Sequence, residues 1–151
     1  MTDPHIKNIL KNKKAYFEYE IDETFEAGLK LVGTEVKSLR NGHASFEGSY
    51  GKFKGNEIFF YEFTIQPYSL AGHFNHKPTR PRKLLLHRHE IRKIETKLKL
   101  RGYTLVPIEL YFKNEYAKLK IGLGRGKKLY DKRQDIKKKE TLRSLQKMRK
   151  F

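Results

Sequence analysis

Apolar and polar residues alternate with a period of two over several stretches of the chain, the mark of half-buried strands. Phe17, Tyr19 and Ile21 face one way and Tyr16, Glu18 and Glu20 the other, and Ala27, Leu29 and Leu31 extend the pattern. Segments 45–53 and 57–65 read as two further strands. Phe59, Tyr61, Phe63 and Ile65 share a face there, and Lys54-Gly55-Asn56 is the turn between them. Val106, Ile108, Leu110 and Phe112 form one more apolar face and Leu119, Ile121 and Leu123 another, joined as a hairpin by Lys113-Asn114-Glu115. Pro107 has no amide proton to give to a ladder, so it belongs at an edge or a bulge. Helical spacing is rarer. Ile91, Ile94 and Leu98 fall at i, i+3 and i+7 within 88–100, with Gly102 ending the run, and 34–40 reads as a short helix capped by Thr34 and stopped by Asn41-Gly42. Six short strands with two or three short helices predict a mixed, six-stranded antiparallel β-barrel of the oligonucleotide-binding (OB) type, in which closure removes exposed strand edges.

Two stretches escape the pattern. Residues 66–83 form a long linker holding Pro67, Gly72, Pro78 and Pro81, with Arg80, Arg82 and Lys83 at its end; a loop of that length in a compact domain is usually functional or mobile. From Gly124 onward there is little apolar content before Ile136. Leu142, Leu145, Met148 and Phe151 recur every three residues, so they drift around a helix instead of forming a stripe. The Lys, Arg, Glu and Leu of this segment favour helix, yet a helix without a packed face is marginal in water. The chain therefore divides into a barrel over 1–123 and a basic tail over 124–151, disordered when free and helical when bound.

Charge sharpens the division. Basic residues number 9 against 10 acidic ones in 1–70, 13 against 4 in 71–123 and 12 against 3 in 124–151, for a net charge of +17 over 151 residues. The excess lies in the second half and makes nucleic acid the first partner to consider. Cysteine is absent, which removes disulfides and thiolate metal sites and fits a reducing cytosol. There is no run of about 18 apolar residues, and residues 1–14 are polar and charged, so neither a membrane span nor a secretory signal is expected.

Lysine and arginine neutralise phosphates, and aromatic rings stack on unpaired bases. Most of the 10 Phe and 9 Tyr sit at alternating strand positions and read as core, leaving Tyr16 and Tyr68 as better stacking candidates. The run 122–128, GLGRGKK, lacks the spacing and the following Ser or Thr of a phosphate-binding P-loop and reads as a flexible basic hinge. His73, His76, His87 and His89 have only Glu90 as a nearby acid, so no metal site is expected. Glu18, Glu20, Asp22, Glu23 and Glu26 cluster, but their placement reads as a solvated strand edge rather than the carboxylate centre a nuclease would need. The chain reads as a binding protein with no catalytic residues and no cofactor.

Four strings add a family resemblance. Phe25-Glu26-Ala27-Gly28-Leu29, Gly33-Thr34-Glu35-Val36-Lys37-Ser38-Leu39-Arg40, the run NHKPTRPRKLLLH over 75–87 and GKKLYDKR over 126–133 occur in order. Together they resemble the signature of small protein B, the tmRNA-binding (SsrA-binding) family of bacteria. The sequence departs from it at Phe25, where the family more often has Tyr, and at Gly48, where an acidic residue is common. The resemblance implies an OB-type barrel that holds the tRNA-like domain of tmRNA near its elbow and enters stalled ribosomes with elongation factor Tu. The tail would reach the 16S rRNA decoding centre and the mRNA channel, so that trans-translation resumes on tmRNA. It also implies a cytoplasmic protein, monomeric when free and without catalysis of its own.

Carried over by position, the RNA-binding residues are Glu35, Lys37, Arg40 and Asn41 on the short helix, Asn75, His76, Arg80, Arg82 and Lys83 in the basic loop, and Lys118 and Lys120 on a strand. The ribosome-directed tail takes in Gly126, Lys127, Lys128, Tyr130, Asp131, Lys132 and Arg133. Glu35 stands apart because a carboxylate repels phosphate. It could accept from a base amino group or a 2′-OH, orient Lys37 or Arg40, or serve as the favourable negative charge at a helix start. The residues alone leave open a general single-strand or ribosomal RNA-binding module on the same barrel.

Overall fold

The computed structural model describes residues 5–127 and 129–148. Among them, the elements in chain order are β1 (Ile6–Lys11), α1 (Ala15–Glu18), β2 (Tyr19–Leu29), α2 (Gly33–Arg40), β3 (Ala44–Ser45), β4 (Tyr50–Lys54), β5 (Glu57–Tyr61), β6 (Thr64–Ile65), a 3-10 turn at Gly72–Phe74, β7 (Arg82–Leu85), α3 (Arg88–Leu98), β8 (Tyr103–Lys113), β9 (Tyr116–Gly126) and α4 (Leu129–Met148). The order across the large sheet is β1-β8-β4-β5-β7-β2-β9, and β8 pairs with β9 as well. Six strands, β8-β4-β5-β7-β2-β9, thus close into an antiparallel ring, with β1 added outside on β8 and β3–β6 as a separate ribbon. This is the expected OB-type barrel.

The ring closes where side chains permit it. At the β4–β8 seam Gly51 faces Leu105, and a Cβ on Gly51 would lie 3.0 Å from the Leu105 Cβ. The β8–β9 hairpin turns through Asn114-Glu115, with Asn114 at φ 57°, a left-handed conformation that asparagine tolerates. Leu39, Ile58, Phe60, Phe63, Ile65, Ile94, Leu110, Leu119 and Leu123 fill the interior with no exposure.

Several faces differ from the simple alternation. Ile58 and Phe60, not Phe59 and Tyr61, point inward on β5; Glu62 then adopts φ 56° and resets the phase, so that Phe63 and Ile65 are inward again. On β8 the register shifts between Pro107 and Glu109, leaving Ile108 as an extra residue. Pro107 thus sits at a bulge, as its missing amide requires. The bulge splits the predicted face: Leu110 and Phe112 enter the main core, whereas Val106 and Ile108 join Ala15, Tyr19 and Ile21 in a small second cluster. Tyr16 and Phe17, expected in a strand, lie in the single turn α1. Residues 122–126, expected as a hinge, are strand, and Gly122 and Gly124 are buried between neighbours that leave no room for a Cβ.

A candidate nucleic-acid interface on α2 and the basic loop

Helix α2 begins four residues after β2, and a buried carboxylate fixes its first turn. The N-cap is Val32, not Thr34, and its amide donates to Glu35 Oε1 at 2.9 Å. Glu35 is fully buried. Its Oε1 also accepts from Arg80 Nη2 at 2.5 Å, and its Oε2 from Arg82 Nε at 2.5 Å. Arg82 opens β7 with its side chain turned into the barrel. Its remaining donors go to the Phe63 carbonyl and, at 3.0 Å, to the Pro78 carbonyl. Burial alone would raise the Glu35 carboxyl pKa, but the hydrogen bond from Arg80, the Val32 amide and the Arg82 charge outweigh it and hold the group below its ordinary value. Burial lowers the Arg82 guanidinium pKa in turn, partly offset by Glu35. The pair therefore stays charged, with a hydrogen bond at every nitrogen of the guanidinium and both oxygens of the carboxylate, which a buried ion pair requires.

This geometry corrects part of the sequence assignment. Glu35 and Arg82 have no exposed surface and cannot reach RNA from where they lie; they pin α2 to β7. His76 is 9% exposed and also belongs to the framework. Its Nε2 donates to the Ile65 carbonyl at 2.8 Å and its Nδ1 pairs with the Thr34 hydroxyl at 2.8 Å. That contact explains Thr34, whose hydroxyl reaches across to the loop instead of capping its own helix. Asn75 is a loop staple: its amide oxygen accepts from Tyr68 N at 2.7 Å, and its amide nitrogen donates to the Tyr68 carbonyl at 2.8 Å. Residues 68–75, unstructured by pattern, are thereby folded back beside α2.

What the platform presents outward is cationic. Lys37, Arg40 and Asn41 are exposed on α2 and just after it. The Lys37 ammonium lies 5.4 Å from the centroid of Tyr68, and the Arg40 guanidinium 6.0 Å from that of Phe112. Lys7, which charge counting did not single out, donates to the Arg40 carbonyl at 3.3 Å. Arg80 lines a shallow groove with Val32, Gly33, Thr34, Lys37, Phe74 and His76, and its Nε–H has no partner among the described residues. Phe74 projects from the loop at 89% exposure, a feature visible only once Asn75 is seen to fold the loop back.

The remaining predicted residues lie elsewhere. Lys118 and Lys120 are half-buried on β9, across from Tyr111 and Glu109 on β8 and from Gly28 and Glu26 on β2. Tyr111 donates its hydroxyl to Glu26, which lowers the Glu26 carboxyl pKa; burial first, and then this bond, raise that of the phenol. Lys83 points away from Arg82, as adjacent strand residues must, and pairs with Glu57 at 2.7 Å. Gly126 ends β9; Lys127 bonds Asp135 of α4 and lowers that carboxyl's pKa. Arg133 is exposed on α4. Lys128 and the side chains of Tyr130, Asp131 and Lys132 lie outside the described residues.

His87 and His89 stack 5.6 Å apart. Among the described residues no group of three or more His, Asp or Glu converges as a metal site would, and no helix is long and apolar enough to cross a membrane.

The chain matches the family model described as SmpB protein over residues 9–151. It is 51% identical over 140 residues to the SsrA-binding protein of Anoxybacillus flavithermus, covering 93% of this chain and 91% of that one. With the SsrA-binding protein of Fervidobacterium nodosum it shares 52% identity over 144 residues, covering 95% and 97%. A solved structure described as "tmRNA-SmpB: a journey to the center of the bacterial ribosome" matches with a TM-score of 0.68 at 47% identity, covering 82% of this chain and 87% of that one. A closed OB-type ring, the ordered motifs and a match along nearly the whole length lead to one conclusion: this chain belongs to the SmpB family.

Proposed function

We propose that the protein binds tmRNA and acts with it in trans-translation on stalled ribosomes. The observation that carries this reading is the rigid cationic platform. Lys37, Arg40 and Asn41 are displayed on a helix whose base is locked by the buried Glu35–Arg82 pair, beside a basic loop folded back by Asn75 and His76. A platform whose backbone is held in place suits a folded RNA, where phosphate contacts must match a fixed shape. Its relatives are named as SsrA-binding proteins, and its structural neighbour is described with tmRNA and the bacterial ribosome.

In this reading Lys37, Arg40, Asn41, Arg80, Lys118 and Lys120 contact the tRNA-like domain, while Glu35, Arg82, His76 and Asn75 hold the surface in shape. Lys83 joins from the neighbouring face of β7. Because β9 runs to Gly126, past the expected boundary at 123, the tail for the decoding centre and mRNA channel starts at Lys127; its helix α4 is only loosely held in the free chain and engages on the ribosome. In support, Ile136, Leu142 and Leu145 remain 44%, 59% and 51% exposed on α4, so little apolar burial holds it to the barrel. Gly126 closes β9, and Lys127, Lys128, Tyr130, Asp131, Lys132 and Arg133 begin that tail. The free protein is a cytoplasmic monomer, elongation factor Tu joins the delivery complex, and the protein performs no catalysis itself.

Gel-shift competition at physiological salt tests the partner: the tRNA-like fragment of tmRNA should displace labelled tmRNA at far lower concentration than an unrelated hairpin of equal length. Equal competition would replace the reading with general RNA binding. Truncation after Lys128 should spare tmRNA affinity and abolish tagging of stalled chains; loss of affinity as well would show that the tail is not a separate module.

A further inference from the structure

The outer face of β4, β5 and β7 carries a pattern that the core does not use and that shares only Lys83 with the proposed contact to the tRNA-like domain. Because Ile58 and Phe60 fill the interior, Phe59 and Tyr61 face outward. Lys52 of β4, Phe59 of β5 and Lys83 of β7 are direct cross-strand neighbours, so an aromatic ring stands between two lysines in one row. In the next row Tyr50 is opposite Tyr61, their rings stacked at 5.7 Å and 20°. On the other side Lys54 is opposite Glu57, and its ammonium lies 5.9 Å from the centroid of the Phe59 ring. Tyr50, Phe59 and Tyr61 pack against neither hydrophobic cluster, and Tyr50 is 41% exposed. Core packing therefore does not account for three aromatics here.

We propose that this face is a binding platform for a short unpaired stretch of RNA, with bases stacked on Tyr61 and Phe59 and phosphates met by Lys52, Lys54 and Lys83. The charge is complementary to a polyanion: three lysines face one acid, Glu57, which Lys83 already neutralises at 2.7 Å. Flat rings between cations suit a ligand that alternates flat π-faces with negative charges, as a single strand does. A duplex offers no such faces, because its bases are already stacked and paired. Rows on one sheet face recur every two residues, about 6.7 Å along the strand, so successive rows can serve successive nucleotides. The face is separate in construction from the α2 platform, since Arg82 and Lys83 lie on opposite sides of β7, and the proposal does not depend on which RNA the platform holds.

The test uses the full chain and fluorescein-labelled octauridylate. The double variant Phe59→Val, Tyr61→Val keeps every charge and a strand-compatible side chain. It should weaken octauridylate about five- to hundredfold, leave the salt slope unchanged, and leave binding of the tRNA-like fragment unchanged. Unaltered octauridylate affinity overturns the proposal, and so does an equal loss for both RNAs. A second measurement needs no variant: an octamer carrying 5-iodouridine is irradiated with the intact protein and the crosslinked peptides are mapped. Crosslinks at Tyr50, Phe59 or Tyr61 support the platform, whereas crosslinks confined to α2 or α4 overturn it. Octaglutamate that displaces the RNA as well as unlabelled octauridylate does would also overturn it, because a purely cationic patch needs no bases.

Discussion

Replacing Glu35 by glutamine keeps the shape of the side chain and removes its charge, so it isolates the buried pair. The carboxylate accepts three hydrogen bonds, from Val32 N, Arg80 Nη2 and Arg82 Nε. In Glu35→Gln the amide oxygen can still serve the Val32 side, but the amide nitrogen would face Arg82 Nε–H, donor against donor. Arg82 is fully buried, so its charge would be left without a counterion in the interior. Removing one member of a buried pair costs about 3–5 kcal/mol. At about 2–4 °C per kcal/mol for a domain of this size, Tm should fall by roughly 6–20 °C. Urea unfolding followed by circular dichroism measures the loss directly. A change below about 1 kcal/mol would refute the claim that the pair anchors α2, because it is far smaller than the cost of an uncompensated buried charge. The acid limb supplies an independent check. Glu35 has a folded pKa below its unfolded value of about 4.3. Its stabilisation is therefore present above that unfolded value and is lost as pH falls through the lowered folded one. Below about pH 4 the parent protein should lose stability that Glu35→Gln no longer has to lose.

Three further outcomes are expected. His76→Ala leaves the Ile65 carbonyl and the Thr34 hydroxyl unpaired. It should cost about 1–3 kcal/mol in a thermal melt, and a neutral result would remove His76 from the framework. Gly124→Ala places a Cβ 2.4 Å from the Glu20 carbonyl oxygen, a backbone atom that moves only if β2 and β9 part. About 1–3 kcal/mol should be lost, together with faster amide exchange along β2; unchanged exchange would show that the strands accommodate the methyl. Lys37→Ala and Arg40→Ala should each weaken the tRNA-like fragment and reduce the slope of log K against log salt by about 0.7–0.9 per lost phosphate contact. An unaltered slope would exclude them from phosphate contact.

The sequence was most legible where one periodicity held without interruption. The β8–β9 hairpin, α3 and the reach of α2 to Arg40 all fall where spacing placed them. It was misleading where every residue in a stretch is apolar. Residues 58–61 read Ile-Phe-Phe-Tyr, so period two fits either phase, and the left-handed Glu62 that selects the phase carries no signal in its residue type. Likewise Val106, Ile108, Leu110 and Phe112 look like one face until a bulge puts two of them in another cluster. β1 and β7 were missed because the first is half polar and the second only four residues long; each gains its place from a partner distant in sequence. The candidate site was legible as charge but not as role. Glu35 and Arg82 look like surface ions in a basic motif, and only the fold shows them facing each other across 47 positions.

The register of β9 also determines how the two basic regions relate. β2 ends at Leu29 just before α2, and Gly28 pairs with Lys118, so α2 follows the end of the barrel where β9 begins. α4 follows the other end, where Tyr19 pairs with Gly126 and the Lys139 ammonium lies 5.8 Å from the ring of Phe17 in α1. From Lys118 to Gly126 is eight residues, about 26 Å of extended chain. Over that length β9 is paired with β2 on one side and, as far as Arg125, with β8 on the other. A strand bonded along both edges cannot bend or stretch independently of its sheet, so the distance is fixed by the barrel. The buried Glu35–Arg82 pair fixes one end in the same way, tying α2 to β7. At the other end α4 is held by the Lys127–Asp135 pair and by contacts that leave Leu142 and Leu145 exposed. The fold therefore joins a rigid basic platform to a loosely held basic helix through a spacer of constant length. The proposed role, gripping one RNA while the tail reaches into another site, needs that division: the grip must not move when the tail does.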